Sequence, residues 1–71
     1  MENKLGKRVR QLRDEMELSQ VKLGEAVKIS SSLIAQIELG QSYPSYKNFL
    51  VLADFFDVSL DYLSGRKDYE E

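Results

Sequence analysis

Residues 27–38 read VKISSSLIAQIE, and this stretch limits the fold more than any other. Val27 ends one apolar pattern at helical spacing, and Leu33, Ile34 and Ile37 belong to the next. Only residues 28–30 lie between them. Two short helices joined so tightly cannot lie antiparallel side by side, so they must cross steeply. The three serines have two readings, because their hydroxyls compete for backbone bonds inside a helix yet make good N-caps. Ser30 reads as the cap. Ser31 and Ser32 then either simply start and solubilise the helix, or keep its exposed edge short and polar so that it can touch something.

The remaining elements follow from spacing and punctuation. Leu5, Val9, Leu12 and Met16 are 4, 3 and 4 residues apart, one apolar stripe on a first helix over residues 3–16. Ser19 caps a second helix that turns Leu23 and Val27 inward. Gly24, in mid-helix, costs about 1 kcal/mol relative to alanine and marks the close approach of another backbone. The third helix runs to Leu39, with Ile34 and Ile37 inward and Gly40 as its C-terminal cap. After a loop at residues 41–44, Ser45 caps a fourth helix ending near Phe56. Ser59 caps a short fifth through Leu63, which Gly65 stops. The expectation is an all-α, five-helix domain over residues 1–66, with a polar acidic tail at 67–71.

Composition narrows the function classes. The 71 residues include no cysteine and no histidine, which excludes disulfides, thiolate sites and the usual zinc ligand sets. No metal, small-molecule cofactor or catalytic residue is expected. Asp54, Asp57 and Asp61 look like helix-surface and turn acids rather than a paired acid–base site. No run approaches the ~18 apolar residues of a membrane span, and the N-terminus does not open a signal peptide, so a cytoplasmic protein is expected. The net charge of −2 does not advertise a nucleic acid. Residues 1–30 nonetheless carry seven Lys/Arg against five Asp/Glu, a mildly basic half that permits one.

The order LSQVKLGEAVKISSSLIAQIELG, then PSYKNFLVLA and DVSLDYL, resembles the phage repressor/Cro-type (XRE) helix-turn-helix family across residues 5–64. The Leu-Ser-Gln start, the Ile-x-x-Ile-Glu-x-Gly close, the Pro-Ser start of helix four and the Val-Ser-Leu-Asp-x-Leu ending are specific in combination. The resemblance implies a lambda-repressor-like fold of a bacterial or phage-encoded protein, with helices two and three as the reading unit on double-stranded DNA. It places Ser31, Ser32, Leu33 and Gln36 where relatives read bases, and Gln20 where they touch phosphate. Gln can pair with adenine, serine can bond any base, and leucine can pack on a thymine methyl. Arg13 and Glu38 fall where relatives join helix one to the recognition helix by an ion pair.

Three departures stand out. The recognition helix has no Lys or Arg, and the loop after it, usually basic, is uncharged. Lys22, Lys28 and Lys47, with Lys4, are the cations best placed to compensate at phosphates, so DNA binding should be weak or shallow in salt dependence. Lys28 occupies a turn position where the family prefers glycine because φ is positive, at a cost of roughly 1 kcal/mol. Helix four is apolar nearly all round: Phe49, Leu52, Ala53 and Phe56 face inward, and Val51 and Phe55 point elsewhere. That pattern leads us to expect a homodimer through Val51, Phe55, Leu60 and Tyr62. The leading expectation is a sequence-specific transcriptional regulator, more often a repressor, on a palindromic operator. The alternative is an antitoxin-like interaction module that holds a protein partner through helix four.

Overall fold

The structure, a computed structural model, describes residues 4–66. The chain forms α1 (Lys4–Glu15), α2 (Gln20–Val27), α3 (Ser31–Leu39), α4 (Tyr46–Phe56) and α5 (Leu60–Ser64), with no strand among the described residues. The acidic tail expected at 67–71 lies outside them.

One device starts four of the helices. Ser19, Ser30, Ser45 and Ser59 have extended backbones, and each hydroxyl accepts a bond from the N–H three residues on, at 3.0–3.2 Å. Such a cap contributes about 0.5–2 kcal/mol relative to alanine. One device also ends all five. Glu17, Lys28, Gly40, Asp57 and Gly65 adopt positive φ. The N–H of the residue after each then reaches a carbonyl five back, at 2.8–3.1 Å, satisfying an oxygen the helix end leaves bare.

The two glycine ends need no further support. The other three carry a β-carbon in the left-handed region, which costs about 1–2 kcal/mol. Each is followed by an apolar residue: Leu18 packs on the core, and Ile29 and Val58 are buried in it. Full burial of such a side chain contributes about 1.5–3 kcal/mol, enough to offset the strain.

Val9, Leu23, Ile34, Ile37, Leu52 and Leu63, at least one from every helix, are sealed from solvent. Met16 does not join them. The helix ends at Glu15, so the 3.6-residue period no longer aims Met16 inward and it stands exposed in the turn. Phe49 is only half-buried at the edge of the core. α1 packs on α3 and α5, and α2 on α3 and α4. Gly24 lets α2 meet the turn closely, since a β-carbon there would lie 2.5 Å from the Ile29 carbonyl oxygen.

Glu17→Gly should stabilise the domain. It relieves the left-handed strain but loosens the unfolded chain by up to about 1 kcal/mol, leaving a net gain of about 0.5–1 kcal/mol. Thermal melting should rise by a few degrees. Gly24→Ala should lower it instead, because the atom in the way is backbone.

Candidate nucleic-acid interface

Helix α3 is held from behind by a polar clamp. Arg13 on α1 donates from Nε to Glu38 Oε2 at 2.7 Å and from Nη2 to Glu38 Oε1 at 2.9 Å. Its third nitrogen, Nη1, donates to the Leu18 carbonyl at 2.8 Å, tying in the loop between α1 and α2. Gln20, the first residue of α2, donates from Nε2 to Glu38 Oε1 at 3.1 Å. The Arg13 and Glu38 side chains are only 11% and 5% exposed, so this is a nearly buried, two-pronged ion pair. Hydrogen bonding to Glu38 is the chief reason the Arg13 guanidinium holds its proton more tightly than usual, with burial opposing it.

The clamp spends the charge of Glu38 inward and leaves the opposite side of α3 polar and neutral. Ser32 and Gln36 are exposed, Ser31 is partly so, and Leu33 leans on the core with part of its side chain in solvent. Ser30 caps the helix through the Leu33 N–H, so this edge begins at a helix N-terminus. Gln36 is not loose: Ser42 Oγ donates to its Oε1 at 3.0 Å from the following loop. Sequence reading gave no role to Ser42, because a loop contact leaves no periodic signal.

This geometry matches known proteins. A family model described as "Helix-turn-helix domain" matches residues 6–68. The chain belongs to that family. It is 38% identical over 63 residues to the HTH-type transcriptional regulator PrpR of Mycobacterium tuberculosis, covering 89% of this chain but only 13% of that one. Its fold is similar to the P22 c2 repressor solved in complex with a synthetic operator, at TM-score 0.79 and 34% identity, covering 83% of this chain and 89% of that one. It also resembles the restriction-modification controller C.AhdI of Aeromonas hydrophila, at TM-score 0.76 and 35% identity, covering 84% and 91%.

Around the exposed polar edge of α3 in this helix-turn-helix domain, cations are sparse. Lys28 and Lys47 are exposed, and Lys22 lies 3.7 Å from Glu25 in an exposed pair that is partly self-neutralising. Gln20, expected at phosphate, has its amide nitrogen on Glu38 and so couples α2 to α3. Beyond α3 stand two exposed tyrosines that sequence reading passed over, Tyr43 at 78% and Tyr46 at 70%.

The expected apolar face is smaller than the sequence suggested. Val51, Phe55 and Leu60 are half-buried against the core, and Phe55 meets Phe56 edge-on at 5.4 Å. Tyr62 must be removed from that face. It is 7% exposed, its carbonyl accepts from Arg8, and the Arg8 guanidinium lies 4.2 Å from its ring centroid. A cation drawn to the ring face turned the tyrosine inward, pinning α5 to α1.

Truncating Glu38 to alanine should strand Arg13 and the Gln20 amide together. Losing one partner of a buried pair is destabilising by about 3–5 kcal/mol, a large share of what so small a domain has. Chemical denaturation should show this loss, with Glu38→Gln recovering part of it by keeping an acceptor.

Proposed function

We propose that the protein is a sequence-specific DNA-binding regulator of transcription, more often a repressor, acting in the cytoplasm as a homodimer on a palindromic operator. The observation that carries this reading is the exposed polar edge of α3 at Ser31, Ser32 and Gln36, on a helix whose one charge is turned inward by Arg13. Short hydroxyls and an amide suit the floor of a major groove, where each base pair shows its own donor and acceptor pattern. Leu33 contributes the outward part of its side chain toward a thymine methyl. Lys22, Lys28 and Lys47 supply phosphate contacts. The relatives' names agree, since one is a regulator and another a repressor caught on an operator.

Val51, Phe55 and Leu60, each still part-exposed, form the contact between copies. Two α3 helices would then meet half-sites about 34 Å apart on one face of the duplex. No helix among the described residues is long and apolar enough to cross a membrane. The sparse cations favour one competing reading, in which the fold is kept and a protein partner is held on α4.

Selection from a random duplex library at low salt should enrich an inverted repeat with half-sites one helical turn apart. Retention of nothing contradicts the proposal and leaves the partner reading. On the selected site, log affinity should fall with log salt at a slope of about 0.9 per phosphate contact, about 5 for the three lysines of each of the two bound protomers. Lys22→Ala, which removes one contact from each protomer, should reduce that slope by about 2 and weaken all sequences alike. Phe55→Glu should stay folded, sediment as a monomer and lose the operator. A variant that remains dimeric in sedimentation contradicts the assigned interface.

A further inference from the structure

We propose that Ser42 decides which base Gln36 reads, by locking its amide so that guanine is accepted and adenine is not. The inference rests on the reading of Gln36 as a base contact and goes beyond it to name the base and the residue that selects it.

An exposed glutamine presents either end of its amide. With Oε1 and Nε2 both free to face a base, it forms the familiar two-bond pair with adenine, accepting from N6 and donating to N7. Here the amide is not free. Ser42 Oγ donates to Oε1 at 3.0 Å, drawing the carbonyl end back toward the loop. The loop itself is anchored, because Gly40 turns the chain at φ 79° and the Gln41 N–H reaches the Gln36 carbonyl at 2.8 Å. Ser42 therefore sits one residue beyond a fixed bond to the same residue it grips. Among the described residues Nε2 donates to nothing, so both its hydrogens remain for a ligand at this exposed position.

In the major groove an outward amino group needs acceptors. Guanine alone offers two adjacent ones, O6 and N7. Adenine places its N6 amino group beside N7, donor against donor, and cytosine N4 is a donor too. Ser42 is thus a positioning residue that converts an ambivalent reader into a donor.

The test uses the full chain and duplexes derived from the site recovered by random-library selection. Binding is measured by fluorescence anisotropy at the base pair that Gln36→Ala ceases to discriminate. There the wild-type protein should prefer G·C over A·T in one orientation by about tenfold. Replacing that guanine with 7-deazaguanine, which lacks N7, should weaken the wild type and leave Gln36→Ala unaffected. Ser42→Ala should melt like the wild type yet shrink the preference below about threefold or move it to adenine, whereas Ser42→Thr, which keeps the hydroxyl, should retain it. A wild-type preference for adenine or cytosine there, or a Ser42→Ala protein with undiminished guanine preference, overturns the role of Ser42 while Gln36 remains a reader. If Gln36→Ala alters discrimination at no base pair, or no duplex is selected, the underlying reading of Gln36 fails instead.

Discussion

The placement of α3 depends on one ion pair. Arg13 and Glu38 are drawn from α1 and α3, and the same guanidinium closes the loop at Leu18 while the same carboxylate takes the Gln20 amide. Apolar packing by Ile34 and Ile37 holds α3 down, but an apolar contact tolerates small slides and rotations that a directional two-pronged pair does not. A groove-reading helix must present its outer side chains at a set angle and depth. The pair therefore stands on the side of α3 away from the exposed Ser32 and Gln36, and it fixes the orientation in which they are presented.

The helix ends and the turns between them were legible because each is set by local chemistry. Four serines cap four helices with the same three-residue reach, and Lys28 takes the positive φ that the tight turn requires. Gly24 lies against the turn backbone as a small residue in mid-helix should. Local patterns failed where tertiary contact decides. The periodicity of α1 carried Met16 one position too far, because spacing alone does not mark the left-handed Glu17 that ends the helix. Tyr62 reads as surface on a short helix, but Arg8, 54 residues away, covers its ring. Ser42 reaches Gln36 from a loop, where no repeat announces a partner.

The sparse charge then takes on physical meaning. Proteins that hold DNA mainly by counterion release bind many sequences well and lose them together as salt rises. With no Lys or Arg on α3 and its one carboxylate, Glu38, turned toward Arg13, the proposed DNA binding would rest proportionally more on base-edge hydrogen bonds and on the avidity of two copies. On that proposal, discrimination would depend on how firmly a few side chains are oriented, and the Arg13–Glu38 clamp and the Ser42–Gln36 contact are the features placed to orient them.

The central claim is that the serine and glutamine edge of α3 meets the DNA while α4 does not. The most direct measurement is an NMR titration of isotope-labelled protein with the selected duplex, following every backbone and glutamine side-chain amide. Shifts concentrated at Ser31, Ser32 and the Gln36 side chain, with Val51 and Phe55 unmoved on addition of DNA, are the predicted result. Shifts centred on α4 with a silent α3 would contradict it.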